Sequence, residues 1–237
     1  MKKYLYFIVE GNHDKTEIST MLRVVGGKEF LNRYVDYYYV HNGDITIDPD
    51  SSKNTIIKKL NELVISWREG RTEPFTRIAT TDVAKIIQVI DTDGAYISES
   101  SIIQSDDVGE PQYYDQSIHC YKPGTVINRN RKKRSVINRL LVTRQIDNIP
   151  YEICFASCNM DHLLFDHRNL SKAEKSNHAR DFRMNCRCKE DLLDSIYLES
   201  VRASGTISDS WDMIQKDYNS LARHTNLNLL LEELFRK

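Results

Sequence analysis

The sequence lacks the features that mark membrane, secreted and nucleotide-binding proteins. No window approaches the roughly 18 consecutive apolar residues that a membrane helix needs, and Met1-Lys2-Lys3-Tyr4 leads directly into an apolar stretch without a cleavage signal. Five cysteines are few and odd in number for 237 residues, so we expect reduced thiols rather than a disulfide framework. No Gly-x-Gly-x-x-Gly or Gly-Lys-Ser/Thr loop follows a predicted strand. These absences predict a cytoplasmic protein.

An excess of one charge sign is also missing. Lysine and arginine total 33 against 34 acidic residues, a net charge of −1, which excludes a globally basic coat. The cysteines offer little for zinc, because Cys154-x3-Cys158 and Cys186-x-Cys188 lack the usual Cys-x2-Cys spacing. Any chemistry must therefore come from the local distribution of side chains.

Alternating strand and helix patterns predict an α/β fold with a mostly parallel sheet flanked by helices. The predicted strands are Lys3 to Val9, Tyr34 to Val40, Ile86 to Ile90 and Ile153 to Ala156. Between them, apolar stripes predict one helix that Gly26-Gly27 ends and a second that stops near Gly70, and Asn42-Gly43-Asp44 predicts a turn. Helical patterns dominate after Asp161, with Trp211, Ile214, Tyr218 and Leu221 on one predicted face.

This pattern divides the chain into four parts. Residues 1–95 form the first part of the core, 96–150 an insertion with a basic segment, 151–170 the end of the core, and 171–237 a helical C-terminal region. In an open parallel sheet, ligand sites lie beyond the carboxyl ends of the strands. We therefore expect the functional residues where the predicted strands end.

Acidic residues stand at these strand ends. Glu10 ends the first strand with Asp14 in the following turn, Asp91 and Asp93 end the third, and Asp161 follows the fourth. Strand alternation would point Asp91 and Asp93 to the same side. Carboxylates gathered at one edge repel one another, and Mg²⁺ or Mn²⁺ would neutralise them. Asp and Gly are also common turn formers, so each motif alone has a purely structural interpretation.

Two of these motifs resemble those of the TOPRIM fold. Tyr6-Phe7-Ile8-Val9-Glu10-Gly11-Asn12-His13-Asp14-Lys15 is similar to its first motif, and Val89-Ile90-Asp91-Thr92-Asp93-Gly94 to its Asp-x-Asp motif. Met160-Asp161-His162-Leu163-Leu164-Phe165-Asp166-His167 resembles a later motif of the nucleases of phage defence, the overcoming-lysogenisation-defect and RloB-like abortive-infection group. Ala95 stands where topoisomerase-type domains often carry a third acid, which argues against topoisomerase activity.

The resemblance implies a metal-dependent nuclease that hydrolyses phosphodiester bonds in DNA or RNA, acting as a toxic effector of anti-phage defence. In it, Glu10, Asp91 and Asp93 are catalytic; Asp91 and Asp93 hold Mg²⁺ or Mn²⁺, and Glu10 coordinates the ion or acts as general acid/base. Asp14 and Asp161 complete a second metal site or orient water, with the two ions about 4 Å apart. No family lysine can be placed, because residues 96–150 match no motif.

A nucleic-acid partner needs a basic surface despite the balanced charge. The stretch from Lys122 to Arg144 contains no acid, which favours phosphate binding, and the candidate contacts are Lys122, Arg129, Arg131, Lys132, Lys133 and Arg134. The competing interpretation of such a run is a solvated helix face. By analogy with related defence systems, a separate ATPase subunit is a possible partner, as is a second copy of the chain.

Two other functions stay open at this point. The chain could be a noncatalytic TOPRIM module that binds nucleic acid or protein, or a TOPRIM enzyme that processes RNA. A phosphoacceptor domain fits less well. Magnesium-dependent cleavage that is lost on replacing Asp91 separates the enzymatic from the noncatalytic interpretation.

Overall fold

A mostly parallel sheet organises the computed structural model, which describes residues 2–40, 44–69 and 78–235. The strands are β1 (Lys3–Val9), β2 (Tyr34–Val40), β3 (Val83–Asp91), β4 (Ile102–Gln104), β5 (Gln112–Tyr113), β6 (Ile118–Cys120), β7 (Gln145–Ile146), β8 (Ile149–Ser157) and β9 (His224–Thr225). The helices are α1 (Asn12–Arg33), α2 (Ile56–Glu69), α3 (Pro123–Leu141), α4 (Met160–Phe165), α5 (Lys172–Asn185), α6 (Ile207–Ile214) and α7 (Leu227–Phe235).

The main sheet has the order β2-β1-β3-β8-β7, and β9 pairs with β8. Strands β2, β1, β3 and β8 are parallel to one another, with Ile8 opposite Gln88 and Asp91 opposite Ala156. Strands β7 and β9 run antiparallel to β8. The carboxyl ends of the four parallel strands therefore meet at one edge. The predicted fold class, α/β with a mostly parallel sheet, an insertion and a helical C-terminal part, is confirmed.

The two faces of the sheet bury two separate apolar cores. Along β1, Leu5 and Phe7 face the core that α1, α4 and α7 cover, while Tyr6 and Ile8 face the core under α2, α3 and α6. This alternation follows from the period of two along a strand. The strand sequences are continuous apolar runs because helices cover both faces of the sheet.

The insertion folds onto this core. Its strands β4, β6 and β5 form a small second sheet. Helix α3 packs Val136, Ile137 and Leu140 into the core under the main sheet. The basic run of the sequence is therefore largely a helix with one buried stripe, which fixes α3 against the edge where the parallel strands end.

The first helix is interrupted where the sequence predicted its end, whereas the prediction for the C-terminal region is wrong. Gly27 has non-helical geometry (φ 50°) at a kink between two helical segments, and the second segment continues to Arg33. Gly26 is needed for packing, since an added Cβ would lie 2.5 Å from the Phe235 ring. In the C-terminal region, α6 ends at Ile214, so Tyr218 and Leu221 do not share its face. The predicted turn at Asn42-Gly43 and the helix stop at Gly70 lie outside the described residues.

Within the described ranges, no helix is both long and apolar enough to cross a membrane. All five cysteines are described and are free thiols, as predicted; Cys188 is exposed and the other four are buried.

The turn after β3 is held by the C-terminal region. Thr92 is fully buried and its hydroxyl donates to the Ser220 carbonyl at 2.7 Å. The next residues, Asp93 (φ 49°) and Gly94 (φ 65°), both adopt the left-handed conformation, and the Gly94 N–H also donates to the Ser220 carbonyl. This turn carries the Asp-x-Asp motif, so the packing around residue 220 sets where that motif lies.

We predict that Gly94→Ala lowers the free energy of unfolding by roughly 2–4 kcal/mol. The substitution adds strain from the positive φ, and its Cβ would lie 2.6 Å from Leu221 and 2.9 Å from Ile118. Urea unfolding measures the loss. Gly124→Ala is the matched control, because nothing lies within 4 Å of an added Cβ there. Equal unfolding midpoints for Gly94→Ala and the unchanged protein would contradict this account.

Candidate functional site

Acidic side chains gather where the parallel strands end. Glu10 follows β1, Asp44 follows β2 beyond the undescribed residues 41–43, and Asp91 ends β3 with Asp93 two residues later. Helices add the remainder: Asp14 lies in the first turn of α1 and Asp161 in the first turn of α4. The structure therefore brings all five sequence-predicted acidic residues to one edge of the sheet, together with Asp44.

Glu10 and Asp91 contact each other at this edge. A Glu10 carboxylate oxygen accepts the Asp91 backbone N–H at 3.4 Å, and Asp91 Oδ1 accepts the Met160 N–H at 3.1 Å. Burial and the negative charges of Asp44 and Asp91 raise the pKa of Glu10 well above its usual value. Burial and the negative charge of Asp14 likewise raise the pKa of Asp91 well above its usual value. Negative charge at these two residues is thus poorly compensated by the protein.

Asp93 has a different environment, because cationic and hydroxyl donors occupy both of its carboxylate oxygens. Tyr113 donates its hydroxyl to Oδ1 at 3.2 Å, and Lys133 donates to Oδ2 at 2.7 Å. Arg129 donates to the Tyr113 hydroxyl at 3.0 Å and to the Asp93 carbonyl at 2.9 Å. Burial works to raise the pKa of Asp93, but Lys133 and Arg129 outweigh it and hold the pKa below its usual value.

The left-handed conformation of Asp93 explains why it and Asp91 differ. The strand ends at Asp91, so the alternation that would point both carboxylates to the same side does not continue to residue 93. Asp91 is bonded to the start of α4, whereas Asp93 is bonded to the insertion. The predicted strand alternation therefore does not extend to Asp93, and that both residues face one ion stays a prediction.

Lys133 is a buried cation inside the acidic cluster. Its side chain has no exposed surface, and its ammonium group contacts carboxylate oxygens of both Asp44 and Asp93. Burial works to lower the pKa of Lys133, but Asp44 and Asp93 outweigh it, so that the pKa stands well above its usual value. Lys133 was predicted as a nucleic-acid contact, but its side chain has no exposed surface and lies inside the acidic cluster.

A second lysine forms an ion pair with an acid at the other end of the cluster. Lys175, on α5, lies 2.8 Å from Asp161 Oδ2. Burial and Asp161 raise the pKa of Asp14 to about 6, although the Gly11 N–H, which Asp14 accepts at 2.8 Å, works against the rise. Glu17, one turn further along α1, is 1% exposed, and burial with the charge of Asp14 raises its pKa well above the usual value. Glu17 Oε1 has no hydrogen-bond partner among the described residues.

The other basic residues that were predicted to contact nucleic acid are only partly exposed and free to bind phosphate. Lys122 is exposed. Arg131 is exposed but forms two hydrogen bonds of 2.7 Å with Glu99, and Arg134 lies 3.9 Å from the same carboxylate. Lys132 donates to the Asp48 carbonyl. The acid-free run in the sequence is therefore partly neutralised in space by acids from elsewhere in the chain.

The donor set limits how a divalent ion could bind. Among the residues that the structure describes, no group of three or more His, Cys, Asp or Glu side chains is arranged to hold a metal ion, whether by the acids or by the cysteines. Asp93 and Asp161 are engaged by lysines, whereas the described part of the chain has no cationic side chain in ion-pair contact with Glu10 or Asp91. Mg²⁺ is commonly held by one or two carboxylates with substrate phosphates and water, which Glu10 and Asp91 fit.

Sequence analysis missed several residues of this edge. Asp44 could have been found, because it follows the end of a predicted strand as Glu10 and Asp91 do. Lys133 also had a signal: with Val126, Asn130, Ile137 and Leu140 it lies on the buried stripe of α3. No sequence pattern placed Lys175, Tyr113 or Glu17 in this cluster, because only tertiary packing brings their elements to the strand ends.

Comparisons of the chain with models of protein families, with curated proteins and with solved structures gave no match. The functional argument therefore depends on the geometry of this edge.

Asp14 should make stability depend on pH. Its pKa is about 6 in the folded protein and near 3.8 when unfolded, so the unfolded chain loses its proton first and stability falls as pH rises between about 4 and 6. In chelator, we expect Asp14→Asn to match the unchanged protein near pH 4 and to be more stable by about 1–3 kcal/mol at pH 7. Urea unfolding across this range measures the difference, with Asp212→Asn, an exposed acid on α6, as control. A difference that does not change with pH would contradict the assignment.

Proposed function

We propose that the protein is a metal-dependent nuclease that hydrolyses phosphodiester bonds in DNA or RNA, with Glu10 and Asp91 as the residues that hold Mg²⁺ or Mn²⁺. The observation that carries the proposal is the convergence of these carboxylates at the carboxyl edge of a parallel sheet, where both pKa values are raised and no described cation pairs with either. A divalent ion would remove this repulsion.

The ion, when bound, would supply charge neutralisation for a phosphodiester and a nucleophile at neutral pH. The protein's own residues prepare the surroundings. The Met160 N–H fixes the Asp91 carboxylate, and the lysines hold Asp93 and Asp161. Lys175 is 38% exposed, so its ammonium group can reach a phosphate that enters beside Asp161.

The basic residues support a polyanionic substrate. Lys122 lies at the start of α3, the helix that also brings Arg129 and Lys133 to the acidic edge. Phosphate binding would then draw on Lys122 and Lys175 more than on Arg131 and Arg134, which both lie within ion-pair distance of Glu99. The resemblance to TOPRIM nucleases of phage defence extends the proposal to a toxic effector, in which a partner protein or infection signal controls cleavage.

We predict that Asp91→Asn lowers cleavage by roughly 100-fold or more. The amide oxygen can still accept the Met160 N–H, so the fold is retained while the charge that would bind the ion is lost. Plasmid, single-stranded DNA and total tRNA are incubated with the purified protein in Mg²⁺, Mn²⁺ or chelator, and the products are separated on gels.

Asp212→Asn is the matched control and should cleave at the unchanged rate, because Asp212 is exposed on α6. Cleavage that survives in chelator or in Asp91→Asn would refute the assignment of this residue. Binding of these nucleic acids without cleavage in either metal would instead favour a noncatalytic module.

A further inference from the structure

The two halves of the acidic cluster differ in how their charge is balanced. On the side of the insertion, Lys133 lies between Asp44 and Asp93. On the side of α1, Glu10 and Asp91 have no cationic side chain within ion-pair distance among the described residues. One half thus has a cation buried between two carboxylates, whereas in the other half Lys175 pairs with Asp161 and leaves Glu10 and Asp91 without an ion-pair partner among the described residues.

The contacts of Lys133 with two carboxylates oppose its displacement by a metal ion. Its side chain is fully buried, that of Asp44 is 4% exposed, and the two oxygens of Asp93 are taken by Lys133 and the Tyr113 hydroxyl. Arg129 adds hydrogen bonds to Tyr113 and to the Asp93 carbonyl. Removing one partner from such a buried ion pair leaves an uncompensated charge, which is strongly unfavourable.

A separate observation concerns a further buried acid on the side of α1. Glu17 is 1% exposed, and its Oε1 atom has no hydrogen-bond partner among the described residues. It interacts electrostatically with Asp14, which in turn interacts with Asp91. Asp14 and Asp161 act on Glu17 with the same sign of charge, and Lys175 acts against them. A buried carboxylate oxygen without a partner is unfavourable, and a divalent ion bound in this half of the cluster would reduce the excess of negative charge.

From these contacts we propose that the cluster takes a single divalent ion, on Glu10 and Asp91, and that the Lys133 ammonium group holds the position that a second ion would fill. This inference rests on the proposed function and replaces the two ions that the family resemblance implies. Asp93 then acts as a positioning residue that ties Lys133, Tyr113 and Arg129 to the site, rather than as a metal ligand.

Titration of the full chain with Mn²⁺, followed by the electron paramagnetic resonance signal of free Mn²⁺, counts the bound ions. We expect one ion per chain for the unchanged protein, none for Asp91→Asn, and two for Lys133→Met, in which Asp44 and Asp93 lose their cation. Lys132→Met is the matched control: the same type of side chain leaves the neighbouring position of α3, where it contacts only backbone carbonyls, and the count should stay at one.

Two ions bound to the unchanged protein would overturn the assignment of Lys133 while leaving the proposed function intact. No bound Mn²⁺ at millimolar concentration would overturn both. Circular dichroism shows whether Lys133→Met is folded; if it is not, the count for the unchanged protein still decides between one ion and two.

Discussion

Parallel pairing of β1 with β3 and of β3 with β8 is the constraint on which the site depends. Because the strands run in the same direction, their carboxyl ends meet, and the residues that follow them must share one edge. Glu10 and Asp91 are close in space although 81 positions separate them in the chain. The two apolar cores on the faces of the sheet stabilise this pairing against the repulsion of the acids.

The insertion divides the acidic edge of the sheet into two parts that differ in how their negative charge is balanced. Helix α3 is held by its apolar stripe under the sheet, and the same stripe carries Lys133 toward Asp44 and Asp93. Tyr113, from the small second sheet, and Arg129 complete the hydrogen bonds around Asp93. The consequence is that negative charge is compensated on one side of the edge and left uncompensated at Glu10 and Asp91, where a divalent cation would bind most favourably.

Local patterns were sufficient for the four parallel strands of the main sheet and for most of the acidic residues. Strands Lys3–Val9 and Tyr34–Val40 were predicted with their observed bounds, because apolar runs and turn residues delimit them. The helix break at Gly26-Gly27 was also predicted, whereas the helical segment that continues to Arg33 and the close approach of Phe235 to Gly26 were not, because they depend on tertiary packing. The lysines were missed because a basic run suggests a surface. The apolar spacing of α3 could have identified Lys133 as buried, whereas only the packing of α5 brings Lys175 into the site.

The central claim is that Glu10 and Asp91 bind one divalent ion while Lys133 stays on Asp93. Anomalous diffraction at the manganese edge, from crystals grown with Mn²⁺, tests it most directly. The account predicts one peak in contact with Glu10 and Asp91 and an intact Lys133–Asp93 pair. No peak at these two carboxylates, or a peak on Asp93 with Lys133 displaced, would contradict it.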